Sequence, residues 1–373
     1  MTVKCIGNGC SNRIQSDKTT DIKFMIKSED IVITPEILQM VAELDEFKGA
    51  WQLLGKLTPD RLYALRKVAT IESIGSSTRI EGSKLSDREV EGLLSRIETY
   101  SFKSRDEQEV AGYAFVCEEI FEKFEAIPLT ENTIKQLHAW LLKYSDKDER
   151  HRGDYKKLPN HVEAFDADGK SLGVIFETAT PFETPLRMQE LISWTREAFE
   201  EKTLHPLLIA GIFVVVFLSI HPFQDGNGRL SRILTTLLLL KSGYAYVPYS
   251  SFESVVEANK EGYYLSLRRT QQTLKKGHPD WTPWLLFFLR SMKKQKNLLE
   301  KKVAREKILT FQMPELSATI IDLIQQHGRL SVRDLETITG GNRSTLKKHL
   351  QELVESKYLL RHGKGRATWY TVQ

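Results

Sequence analysis

Twelve residues, His221 to Arg232 in the order HPFQDGNGRLSR, bring together a histidine, an aspartate, two glycines, an asparagine and two arginines. A connecting loop can use Gly and Asn to turn, but it has no use for a base, an acid and a pair of guanidinium groups. The composition points to an anionic ligand. Gly226, Asn227 and Gly228 leave unobstructed the backbone N–H groups at the start of a following helix, the arrangement that cradles phosphate. At roughly 100° per residue, Arg229 and Arg232 fall within about 60° of each other on that helix, so both guanidinium groups can face one ligand. A glycine-lined helix start with two arginines implies a polyphosphate. Asp225 is the candidate Mg²⁺ ligand, because that ion is typically held by one or two carboxylates plus phosphate oxygens; Mn²⁺ is the other option. His221, with an unperturbed pKa of about 6.5 for its residue type, is the candidate general base for an attacking hydroxyl. Phe223 is expected to point inward and anchor the loop.

The elements that must position these residues are helical. The apolar run Leu207 to Ile220, LLIAGIFVVVFLSI, enters the motif and falls short of the roughly 20 residues of a bilayer-spanning helix, so it reads as a buried core helix. After Gly228, the residues Leu230, Ile233, Leu234, Leu237 and Leu238 form the buried stripe of the next helix. Helical spacing also covers 31–74, 86–100, 106–125, 130–144 and 184–202. Thr34-Pro35 and Thr58-Pro59 supply N-caps with Pro in the first turn. The one clear β signal is at 161–179, where an Asp168-Gly169 turn is flanked by Val, Phe, Val, Ile and Phe. The expectation is a mainly α protein, a helical bundle with one β-hairpin.

In every fixed position HPFQDGNGRLSR resembles the signature of the Fic family, His-x-Phe-x-Asp/Glu-Gly-Asn-Gly-Arg-x-x-Arg. Members with this form of the motif usually transfer AMP from ATP to a protein hydroxyl with release of pyrophosphate. The resemblance implies a protein adenylyltransferase in which His221 is the base toward a target Ser, Thr or Tyr. Asp225 would hold the metal, Gly226, Asn227, Gly228 and Arg229 would bind the α- and β-phosphates, and Arg232 would orient the γ-phosphate. The likeness extends over roughly 60–290. ERHRGDYKKLPNHV (149–162) is similar to the segment ahead of the family's active-site flap, and the hairpin is similar to the flap, which docks a target segment as an added strand. Here the hairpin reads equally as a target-docking flap and as a structural lid. EANKEGYYLSL (257–267) is similar to a later helix of the family and makes Asn259 the candidate adenosine ligand. Kinase-type relatives carry a bulkier residue where this chain has Gly228, which favours AMP transfer. Transfer of another phosphate-containing group stays open, because base specificity lies outside the signature.

Upstream, STRIEG (77–82) is similar to the family's inhibitory pattern Ser/Thr-x-x-x-Glu-Gly/Asn. With 62–81 helical, Ser77 and Glu81 share a face, and Glu81 can reach an arginine, expected to be Arg232. Gly82 would close the helix. Such a pair occupies the place of a γ-phosphate, so the resemblance implies an enzyme held down by its own chain.

The C-terminal segment resembles a winged helix-turn-helix domain. Its helices are expected at 316–326, 331–339 and 342–356, with a two-stranded wing at 358–361 and 367–372 around a basic turn. Residues 301–373 hold 13 Lys and Arg against 7 Asp and Glu, while the whole chain is only +4. Arg343, Lys347 and Lys348 on the third helix, also carrying His349, and Lys364 and Arg366 in the wing are the DNA-binding candidates. A protein-interaction role is the other reading. The domains read as 1–100 (N-terminal helical region with the inhibitory helix), 101–290 (Fic core), 291–312 (connecting helix) and 313–373 (winged helix).

Composition narrows the classes further. Cys5, Cys10 and Cys117 do not make a disulfide framework or a zinc site. The first twenty residues lack a secretory apolar segment and read as a polar, frayed start. The expected setting is cytoplasmic, without membrane association. The partners are ATP, a target protein that includes the chain itself as an option, DNA, and, as in related proteins, a second copy in a homodimer. Two functional classes stand at this stage: an AMP transferase, and a nucleotide-sensing DNA regulator whose Fic core is weakly active or inactive.

Overall fold

The computed structural model describes residues 2–7, 26, 30–53, 59–96, 101–102, 104–165, 171–274, 278–311, 315–356, 358–363, 365 and 368–372. The chain forms two compact units, Met1–Leu298 and Leu299–Gln373.

The first unit is built from α1 (Pro35–Leu53), α2 (Pro59–Ile80), α3 (Asp87–Leu94), α4 (Arg105–Lys123), α5 (Glu131–Leu141), α6 (Thr184–Glu201), α7 (Pro206–Ile220), α8 (Asn227–Lys241), α9 (Phe252–Glu257), α10 (Lys260–Leu274) and the first part of α11 (Thr282–Phe311). Local chemistry sets several starts. Ser86 and Ser104 form reciprocal capping boxes with Glu89 and Glu107, and Thr130 caps α5. Helix α7 has no polar face because it needs none: Leu207 through Leu218 and Ile220 are all buried. It is the central core helix that its sequence implied. Helix α4 approaches α5 so closely that a Cβ on Gly112 would lie 2.0 Å from the Leu141 carbonyl oxygen, which explains a glycine inside a helix.

The β expectation holds for the strands and is extended by one. Strands β2 (Asn160–Phe165) and β3 (Ser171–Glu177) are antiparallel, and β1 (Thr2–Gly7) joins β2 on its other edge, in the order β1-β2-β3. The frayed start expected for the N-terminus is therefore corrected over residues 2–7. Thr, Val and Ile suit a strand, and the edge of β2 offers backbone groups that local sequence reading does not see. The Asp168-Gly169 turn lies outside the described residues, as do Cys10 and Thr58. Helix α11 is continuous from Thr282 to Phe311, so the described part of the expected connecting segment, 291–311, is the later part of a longer helix.

The second unit contains α12 (Glu315–His327), α13 (Val332–Thr339) and α14 (Arg343–Glu355) with β4 (Leu330–Ser331), β5 (Leu359–His362) and β6 (Trp369–Val372) in the order β4-β6-β5. Ile320, Ile324, Leu335, Leu346, Leu350 and Leu359 form its core. Three helices thus pack with a three-stranded antiparallel sheet, in which β4 is a third short strand where two were expected. Among the described residues, no helix is long and apolar enough to cross a membrane.

Candidate active site

His221 ends α7 in the left-handed conformation (φ 53, ψ 60), rare for a residue with a side chain, while its N–H still closes onto Phe217 O at 2.8 Å. This abrupt stop turns the chain from α7 into the motif loop. The imidazole is buried, and Nδ1 lies 3.4 Å from Leu218 O. That contact assigns the proton to Nδ1 and leaves Nε2 as the basic nitrogen. Burial, followed by the charge of Lys156, lowers the His221 pKa to about 4, so the ring is neutral at pH 7 and able to accept a proton.

The loop is held from both sides. Asn227 Oδ1 accepts from Phe223 N at 2.9 Å and Asn227 Nδ2 donates to Phe223 O at 2.7 Å, so this side chain closes the loop on itself. Phe223 is fully buried, as expected, and stacks on His138 with ring centroids 3.8 Å apart. Gly153 N donates to His138 Nδ1 at 3.0 Å, which places the His138 proton on Nε2, 3.0 Å from Asp225 O. Burial lowers the His138 pKa to about 4, consistent with a neutral ring that spans two backbone groups. On the other side, the buried Lys156 ammonium donates to Asn160 Oδ1 (2.8 Å), Thr178 Oγ1 (2.9 Å) and Ile220 O (3.1 Å), and Lys156 N donates to Pro222 O (2.8 Å). Asn160 Nδ2 in turn donates to Phe223 O at 2.9 Å.

Asp225 sits one-third exposed before the N-terminus of α8. Its carboxylate meets Arg105, Arg229 Nη2 (3.3 Å) and the Gly226 N–H. Burial works against its charge, but Arg229, Arg105 and the Gly226 N–H hold its pKa at about 2. The group is ionised at neutral pH. Among the described residues no group of three or more His, Cys, Asp or Glu side chains gathers around a common point. A lone ionised carboxylate fits Mg²⁺ shared with phosphate oxygens and does not fit an all-protein cage.

At the start of α8 the two arginines part company. Arg229 is buried and turns to Glu109 (3.1 Å) and Asp225, so it does not share an anion with Arg232. Arg232 Nη2 donates to Glu81 Oε1 at 2.8 Å and to Ser77 O at 3.0 Å, and Arg232 Nε donates to Ser77 Oγ at 2.7 Å. Arg232 Nη1 is buried without a hydrogen-bond partner. A Cβ at Gly228 would lie 2.1 Å from Glu81 Oε1, so the carboxylate rests directly on the bare backbone at the helix start. Glu81 follows α2, and Gly82 beyond it has φ +112, which favours glycine. Arg79 secures this end of α2, donating to Glu257 (2.7 and 3.0 Å), Asp87 (2.9 Å) and Leu85 O (3.0 Å).

His221, Asp225, Gly226, Asn227, Gly228, Arg229, Arg232, Ser77, Glu81 and Gly82 are thus brought together, while Asn259 is not. Its exposed side chain folds over Gly262 in a groove lined also by Arg269 and Asp280. From the same helical region it is Lys260, Tyr263 and Tyr264 whose ionisation feels Glu81 and Arg232: burial lowers the first and raises the two phenols. Arg105, Glu109, His138, Lys156 and Asn160 were missed as site residues. Arg105 and Glu109 carried a weak signal, an opposite-charge pair at i,i+4. In the second unit Arg343, Lys347 and Lys348 are exposed on α14, whereas His349 bonds Ser317 Oγ at 2.6 Å. Lys364 and Arg366 lie outside the described residues.

The Fic/DOC family matches residues 128–239, and a bacterial family of unknown function (DUF977) matches residues 304–368. Protein adenylyltransferase Fic of Drosophila melanogaster is 29% identical over 181 residues, covering 48% of this chain and 34% of that protein. A probable protein adenylyltransferase of Aquifex aeolicus is 34% identical over 89 residues, covering 24% of this chain and 27% of that protein. The chain therefore spans about a quarter to a third of the length of these curated relatives. A crystal structure of a Fic family protein from Desulfovibrio desulfuricans G20 is similar across 92% of this chain and 98% of its own, with 25% identity and a TM-score of 0.59. A Fic domain containing signaling protein from Bacteroides thetaiotaomicron matches 70% of this chain and 97% of its own, with 25% identity and a TM-score of 0.55.

Proposed function

Because the chain carries a Fic domain across residues 128–239, we propose that it is a protein adenylyltransferase, moving AMP from ATP to a Ser, Thr or Tyr hydroxyl of a target protein and held down by Glu81. The observation that carries this reading is the position of the Glu81 carboxylate. It is an anion seated on the start of α8 beside Gly228 and paired with buried Arg232 at 2.8 Å. It stands in for a phosphate group at a site whose backbone N–H groups and guanidinium suit one.

In the reaction, His221 Nε2 takes the proton of the target hydroxyl, whose oxygen bonds to the α-phosphorus. The bond from that phosphorus to the α,β-bridging oxygen breaks, and pyrophosphate leaves. The bare backbone at Gly226 and Gly228 receives phosphate oxygens, and Arg232 orients the terminal phosphate once Glu81 has withdrawn. Asn227 acts by closing the loop, and Arg229 by fixing Asp225 and the helix start. Asp225 would hold Mg²⁺, which supplies charge neutralisation to the phosphates when bound. Relatives named protein adenylyltransferase support ATP as the donor. The exposed Arg343, Lys347 and Lys348 of α14 support duplex DNA as a partner of the second unit.

The test is incubation of the chain, Glu81→Gly and Glu81→Gly/His221→Ala with α-labelled ATP and Mg²⁺, read by intact mass and pyrophosphate release. Label on Glu81→Gly that disappears without His221 is the expected result. Pyrophosphate without label means an active enzyme short of its target. Bound ATP with neither product from any folded form overturns transfer in favour of a nucleotide sensor.

A further inference from the structure

The buried cation beside His221 comes from outside the motif. Lys156 is 2% exposed and lies in the segment that leads into β2. Its ammonium takes the carbonyl of Ile220 at 3.1 Å, and its own N–H takes the carbonyl of Pro222 at 2.8 Å. One residue therefore grips the chain on both sides of His221, whose φ of 53 is strained for a residue with a side chain. The same ammonium reaches Asn160 Oδ1 at the start of β2 and Thr178 Oγ1 just past the end of β3, and Asn160 passes the grip on to Phe223 O.

Charge gives the arrangement a second consequence. The charged groups that act on the His221 imidazole are Lys156, which opposes protonation, and Glu81 and Asp225, which favour it. A bound triphosphate adds further negative charge close to the same ring, and each added anion favours the protonated form, which cannot act as a base. Resting on the adenylyltransferase reading above, we propose that Lys156 is a positioning residue: it holds His221 in its left-handed turn and offsets the negative charge that a bound triphosphate brings to the imidazole.

A structural brace and a charge-balancing residue differ in what they do to pH dependence. In the Glu81→Gly background, Lys156→Met and Lys156→Arg are compared with the parent by two readouts. One is the pH profile of pyrophosphate release. The other is an NMR titration of His221 in the full chain, labelled with ¹³C-histidine and bound to a non-hydrolysable ATP analogue with Mg²⁺, with the resonance identified by its loss in His221→Ala. Lys156→Met is expected to move both the His221 titration and the acid limb of the profile upward by about one pH unit or more. Lys156→Arg keeps both near the parent. A slower Lys156→Met enzyme with an unmoved titration and limb would reduce Lys156 to a brace and overturn the proposal. If no variant releases pyrophosphate, the adenylyltransferase reading fails, while the NMR titration still decides the role of Lys156. Should Lys156→Met not fold, Lys156→Gln retains hydrogen bonding without the charge and carries the same comparison.

Discussion

Replacing Glu81 with glycine isolates the contact between α2 and α8. Arg232 is buried at 3% side-chain exposure, Glu81 is 29% exposed, and their ion pair measures 2.8 Å. Two unit charges about 4 Å apart attract by ~4 kcal/mol at an effective dielectric of about 20. Partial exposure of Glu81 weakens this, and Arg232 keeps its two bonds to Ser77 when Glu81 is gone. The hold to be broken by an incoming phosphate is therefore about 2 to 4 kcal/mol, short of the cost of unpairing a fully buried ion pair. At about 1.36 kcal/mol per decade this is a rise in AMP transfer of roughly 30- to 1,000-fold for Glu81→Gly. Glu81→Gln retains a hydrogen bond but loses the charge, so it falls between the two. The assay is the initial rate of AMP incorporation and pyrophosphate release at saturating ATP, with thermal unfolding as a folding control. A folded Glu81→Gly chain that binds ATP with parental affinity and transfers at the parental rate would refute the blocking role of the carboxylate.

Other outcomes follow from the same geometry. Arg79→Ala removes the bonds to Glu257, Asp87 and Leu85 that hold the end of α2; we expect a loss of about 1–3 kcal/mol in urea unfolding and partial release of transfer activity without any change at Glu81. Burial lowers the pKa of both His138 and His221 to about 4, below the ordinary value of about 6.5, so the unfolded chain binds more protons between those values. Stability is then lost as pH falls from about 6.5 to about 4, by at most about 3 kcal/mol per histidine. Urea midpoints at pH 7 and pH 4.5 measure the loss, and His221→Ala should make it smaller. For the second unit, Lys347→Ala/Lys348→Ala should weaken duplex DNA binding alike on unrelated sequences and flatten the log–log salt dependence by about 2; an unchanged slope would exclude these lysines from a phosphate contact.

The helices were legible because their apolar spacing and caps are local properties: α7 reads as core from fourteen nearly uninterrupted apolar residues, and Thr34 sits where α1 must start, its Oγ1 accepting from Ile37 N. The motif was legible for a related reason, since a base, an acid and a glycine-lined helix start occur within twelve residues and the backbone geometry between them is short-range. Glu81 was legible by resemblance alone, as nothing in its own neighbourhood says which arginine lies across from it. Tertiary structure decided what each charge does. Arg229 and Arg232 stand three residues apart on one helix, yet Glu109 draws the first inward and Glu81 claims the second. Asn259 has the right chemistry for a nucleoside, but its side chain lies over Gly262, and from the same helical region it is Tyr263 and Tyr264 whose ionisation feels Arg232. Lys156 and His138 look like an ordinary surface lysine and a helix histidine until the fold buries them against the loop. Strand β1 needed the edge of β2, more than 150 residues away, before its residues read as a strand. Spacing along a chain determines which groups a segment carries, but burial and charge pairing depend on what the rest of the molecule brings opposite, and at this site those contacts set which nitrogen of His221 is left without a proton and which guanidinium pairs with Glu81.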